Sequence, residues 1–95
     1  MEQDLKKAAY WYRQSAEQGY DDGQLELALL HSTGKGVEED LEAAYMWGYL
    51  AASQKNPLAV ELVGRLESKA LSVEKIERAK LRARTFVPKG ELDRQ

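Results

Sequence analysis

Two tryptophans, the only ones in the chain, stand thirty-six residues apart inside the same phrase. Asp4-Leu5-x-x-Ala8-x-x-Trp11-x-x-x-x-Ala16-x-Gln18 returns as Asp40-Leu41-x-x-Ala44-x-x-Trp47-x-x-x-x-Ala52-x-Gln54. Residues 1–34 laid over 37–70 match at nine positions, where unrelated sequence of ordinary composition would match at roughly two or three. No strand pattern lies inside the repeat. A period of this length therefore restricts the chain to a helical array, in which each unit buries its apolar stripe only against its neighbours. Arrays of that kind usually work through their surface rather than through a catalytic cleft.

Ninety-five residues suffice for one small domain, close to the lower limit for a self-sufficient core. A 43% apolar and 32% charged composition fits a thin array that exposes much of its area. With no cysteine there is neither a disulfide, a thiolate zinc site nor a thiol nucleophile. No apolar run approaches the ~18 residues that span a bilayer, and polar residues follow Met1 where a signal sequence would be apolar. These features make a cytoplasmic protein the expectation. The net charge of −2 hides an asymmetry: residues 1–69 carry 7 Lys/Arg against 12 Asp/Glu, and residues 70–95 carry 7 against 4.

Five helices follow from the periodicity. Residues 4–18 form the first, with Asp4 as N-cap and Leu5, Ala8, Trp11 (or Tyr12), Ser15 and Ala16 along one face at steps of three and four. The second spans about 22–32, opened by a capping box of Asp21 and Gln24 and stopped at Gly34-Lys35-Gly36. The third, about 41–54, is capped by Asp40. Asn56-Pro57 begins the fourth, which runs to about Lys69 with Leu58, Leu62, Val63 and Leu66 on its apolar side. Ser72 caps a fifth, about 73–85. Small residues at Ala8, Ala16, Ala28, Ala44, Ala52 and Gly64 let helix axes approach, while Trp11 and Trp47 fill the wider gaps.

The run Asp4-Leu-Lys-Lys-Ala-Ala-Tyr-Trp-Tyr-Arg-Gln-Ser-Ala-Glu-Gln-Gly19 resembles the second helix of a Sel1-like repeat. Gln24-Leu-Glu-Leu-Ala28, the loop Gly34-Lys-Gly-Val37 with Asp40, and Ala43-Ala44-x-x-Trp47-x-x-x-Ala51-Ala52 resemble the next complete unit. The resemblance covers residues 4–66. His31 stands where that family usually has tyrosine, Lys55-Asn56-Pro57 replaces its glycine turn, and no second glycine loop follows Leu66. It implies an all-α fold, a short right-handed α/α solenoid of about five antiparallel helices related to tetratricopeptide repeats. The expected layout is a repeat domain over 1–88, a capping helix at about 73–86 and a mobile tail over 89–95. The resemblance also implies a structural repeat core of Ala8, Trp11, Ala16, Leu27, Ala28, Gly34, Gly36, Ala44, Trp47 and Ala52.

Catalytic chemistry finds no footing. His31 is the only histidine and has no acidic partner at fixed spacing, so packing is its expected role. Glu38-Glu39-Asp40 with Glu42 lacks the alternating oxygen ligands of a calcium loop, and fits a helix N-terminus better. Gly34-Lys35-Gly36 lacks the rest of a phosphate loop. Lys75, Arg78 and Arg82 share a face of the last helix, where Glu74 is positioned to pair with Arg78; the acidic remainder of the chain disfavours nucleic acid. No catalytic residue, metal or cofactor is expected, nor a membrane partner.

The resemblance implies an interaction scaffold, with a protein or peptide as partner. In a solenoid the first helix of each pair lines the concave face. That nominates Asp22, Leu25, Leu29 and Ser32 from one helix and Leu58, Glu61, Arg65 and Lys69 from another as the surface for a peptide or helix. The competing expectation is a self-assembling homodimer, joined through that face or through the end bearing Tyr10, Trp11 and Tyr12.

Overall fold

A computed structural model describes the backbone of residues 2–69 and 71–88, with side chains from 4 to 68 and from 71 to 88. The tail expected at 89–95 lies outside the described residues. Five helices run in order: α1 (Glu2–Glu17), α2 (Asp21–Thr33), α3 (Leu41–Ser53), α4 (Pro57–Lys69) and α5 (Val73–Arg84). No strand occurs among the described residues, and the fold is an all-α helical repeat. Its shortest dimension is 21 Å, room for two layers of helices each about 10 Å across.

α3 is the centre. Ala43, Ala44, Tyr45, Met46, Trp47 and Gly48 are all buried, which requires neighbours on every side rather than along one stripe. α2, α4 and α5 each pack against it. At Gly48 an added Cβ would stand 3.3 Å from Val63 and 3.9 Å from Ala28, so α2 and α4 converge on α3 at this point. Gly64, expected to serve as such a close-approach site, instead faces open space. α4 buries Ala59, Leu62 and Leu66, a row stepping by three and four, and leaves Leu58 outside it.

α5 departs from simple solenoid order. It lies along α3 and not beside α4, burying Ala79 and Ala83. Phe86, just past its end, meets the indole of Trp47 edge-on. Glu74 attracts Arg78 by charge as expected, but the hydrogen bond of Arg78 goes to a tertiary partner. Glu42 on α3 accepts from both Arg78 (2.9 Å) and Arg82 (3.2 Å). A carboxylate 18% exposed gains more from two guanidinium forks across the helix pair than Arg78 would gain from an exposed neighbour on its own helix.

Three helix starts carry the caps their sequences specify. Asp40 accepts from the Ala43 amide at 3.0 Å, Asn56 from the Leu58 and Ala59 amides at 3.1 Å, and Ser72 from the Lys75 amide at 3.3 Å. Two differ. α1 begins at Glu2, so Asp4 sits within the first turn instead of capping it. At α2 the N-cap is Tyr20 and makes no side-chain cap bond. Asp21 instead accepts from the Asn56 side chain at 3.0 Å, joining the starts of α2 and α4. Gln24, 1% exposed, donates to the Ala16 carbonyl and accepts from Gln54. A buried amide left unpaired costs about 1–3 kcal/mol, so these tertiary partners outweigh a local capping box.

Candidate protein-interaction surfaces

The loop between α2 and α3 fixes how α1 meets the rest. Gly34 ends α2 at φ 72°, and Gly36 sits at φ 74° with its α-carbon pressed onto α1. A Cβ on Gly36 would fall 2.5 Å from the Leu5 carbonyl oxygen. His31 closes the same loop: its Nδ1 lies 3.1 Å from the Glu38 carbonyl, and its own carbonyl accepts from the Asp40 amide. With a carbonyl as partner, Nδ1 is the protonated nitrogen. The ring is 8% exposed and ties the end of α2 to the loop that follows it.

Of the eight residues nominated for a partner surface, four stand exposed: Asp22 on α2, with Leu58, Glu61 and Arg65 on α4. Leu58 is 61% exposed and Val60 beside it 55%. Leu25 does not belong to this surface; at 4% exposed it is part of the core, because α2 turns a broad side toward both α1 and α3. Leu29 is half-buried against the core, and the Ser32 hydroxyl is turned back onto the Leu29 carbonyl. The Lys69 side chain lies outside the described residues. The Asn56–Asp21 bond brings Asp22 and Leu58 to the same end of the molecule. Beyond it, α2 and α4 share little contact.

The repeat-core residues divide as well. Ala16, Leu27, Ala28, Ala44 and Trp47 are buried, and Ala8 and Ala52 are half-buried. Trp11 is not a core residue: it is 65% exposed, against 6% for Trp47. α5 and Phe86 cover Trp47, and nothing in the described chain takes that place over α1. Tyr10, 55% exposed, packs edge-on against Trp11 with centroids 5.0 Å apart. Lys6 and Lys7 precede the pair by one turn, and Arg13 follows it on the exposed side. Lys6 also lines an open hollow of about 560 Å³ with Leu5, Lys35 and Glu38.

Tyr45 is the polar surprise of the interior. It is fully buried, stacked on Tyr49, and its hydroxyl donates to the Glu67 carboxylate of α4. Burial first, and the neighbouring carboxylate second, push the phenol's pKa well above its ordinary value. A tyrosine so protected ties α3 to α4 and is no candidate for proton transfer near neutral pH. Among the described residues, no group of three His, Cys, Asp or Glu side chains is arranged to hold a metal ion. No described helix is long and apolar enough to cross a membrane.

Residues 1–20 and 21–56 match the Sel1 repeat. The boundary between the two matches falls in the turn between α1 and α2, so the second match holds α2, the glycine loop and α3 as one unit. Over 75 residues, 79% of this chain, the sequence is 31% identical to the alginate biosynthesis protein AlgK of Pseudomonas aeruginosa. That match spans 16% of the relative's own length.

Proposed function

The chain belongs to the Sel1 repeat family, a non-catalytic repeat that binds other proteins, and from that membership we propose that it is a scaffold holding a peptide or helical segment of a partner across α2 and α4. The observation that carries this reading is Leu58, 61% exposed on a helix whose other leucines are buried. Glu61 and Arg65 follow it at three and seven residues, and Asp22 stands at the same end of α2. An apolar centre with charges of both signs around it suits a partner helix that presents one anchor and a polar rim. The apolar anchor supplies affinity, and the charges select orientation.

Site-specific photocrosslinking tests this. A photoreactive residue at Leu58, compared with one at exposed Lys75, is irradiated in extract of the native host. The reading expects a discrete adduct with another protein from position 58 and none from position 75. Adducts of the chain with itself would favour the self-assembling alternative, and equal labelling from both positions would remove the case for α4.

A further inference from the structure

We propose that the outer face of α1 is a second docking site, for an acidic amphipathic helix of a partner protein. It lies on a different helix from the α4 row and does not depend on it.

The internal repeat supplies the argument. On α3, three positions are spent on receiving α5: Trp47 meets Phe86, Glu42 takes Arg78 and Arg82, and the Tyr49 ring lies 5.9 Å beneath the Lys80 ammonium. Shifted by the repeat length, those positions become Trp11, Lys6 and Arg13 on α1. All three are exposed. The large aromatic is kept, the carboxylate has become an ammonium, and the tyrosine has become a guanidinium. α1 thus presents the face on which α3 accepts a helix, with its charge reversed.

The occupant follows from that reversal. On α3 the received segment offers alanines for close approach, Phe86 just past the helix end for the indole, cations for Glu42 and Lys80 for the Tyr49 ring. A helix suited to α1 keeps the small residues and the aromatic and carries carboxylates where α5 carries Arg78, Lys80 and Arg82. The hollow beside Lys6 extends the same preference, since Lys35 lines it and only Glu38 opposes them. Nucleic acid is a poorer match: residues 1–69 carry 12 acidic against 7 basic side chains, and the repeat shows a helix, not a phosphate backbone, on this face.

The probe is a synthetic peptide of sequence 72–87 with Arg78→Glu, Lys80→Glu and Arg82→Glu, titrated into the isotope-labelled chain and followed by backbone amide shifts. Shifts should centre on Tyr10 and Trp11, with affinity at least tenfold tighter than for the unaltered 72–87 peptide and falling as salt is raised. Lys6→Glu, an exposed change whose folding is checked by circular dichroism, should reverse the preference between the peptides. Equal binding of both peptides, no binding, or shifts centred on α3 would overturn the proposal. So would stronger shifts of the same amides by anionic lipid vesicles or a single-stranded oligonucleotide.

Discussion

Phe86 meets the indole of Trp47 edge-on, with ring centroids 5.4 Å apart and planes at 77°. One contact therefore joins the end of α5 to the centre of α3, and it separates two tryptophans that the repeat makes equivalent. Trp47→Ala should cost about 3–5 kcal/mol, enough to threaten a small domain. Trp11→Ala should change stability by less than about 0.5 kcal/mol. Urea unfolding of the two variants checks the contrast, and similar losses would contradict the burial pattern.

Glycine substitutions should act in opposite directions. Gly36→Ala must place a Cβ 2.5 Å from the Leu5 carbonyl in a left-handed backbone, so a loss above about 1 kcal/mol is expected. Gly64 lies inside α4 with open space around it, and Gly64→Ala should gain about 0.5–1 kcal/mol. Thermal unfolding of both variants provides the measurement.

Glu42 should make stability depend on acid. Hydrogen bonds from Arg78, then its charge and the contribution of Arg82, hold the carboxylate's pKa below its ordinary 4.5 against the opposing pull of burial. Folding lowers the pKa, so the contribution is complete above 4.5 and is lost as pH falls through the folded value. Both arginines are about half exposed, which keeps the effect small and makes it salt-sensitive. Unfolding curves for Glu42→Gln and the parent chain should differ at neutral pH and converge in acid.

Tyr45 should show the opposite sign at the alkaline end. Its pKa is raised, so stability is complete below the ordinary tyrosine value of 10.0 and declines above it. In an ultraviolet titration one of the five tyrosines should stay protonated until the chain unfolds. Tyr45→Phe should remove that resistance and cost about 0.5–1.5 kcal/mol through the lost bond to Glu67.

Local chemistry was legible in the sequence where one helix settles it. Asp40, Asn56 and Ser72 each cap the helix that follows, and Gly34 takes the left-handed turn that ends α2. Legibility failed where a side chain chooses between a near partner and a distant one. Asp21, Gln24 and Arg78 all gave up local bonds for partners thirty or more residues away, or, for Gln24, partly on the preceding helix. The placement of α5 along α3 is also set by tertiary contacts: Ala79 and Ala83 show the width of its buried side but not which helix fills it. Of the candidate surface, Leu58, Glu61 and Arg65 were nominated from the solenoid arrangement that the resemblance implies, and they stand exposed on α4. Leu25 does not, because the buried arc of α2 faces two neighbours instead of one.

Both proposed binding surfaces require that α4 and α1 keep their apolar side chains exposed for other proteins. Light scattering across a concentration series is the decisive measurement. A mass of 10.8 kDa is expected at every concentration, with Leu58 and Trp11 open to solvent. A dimer that resists dilution, and that Leu58→Arg or Trp11→Ala dissociates, would contradict that requirement by showing that the chain covers these surfaces with its own copy.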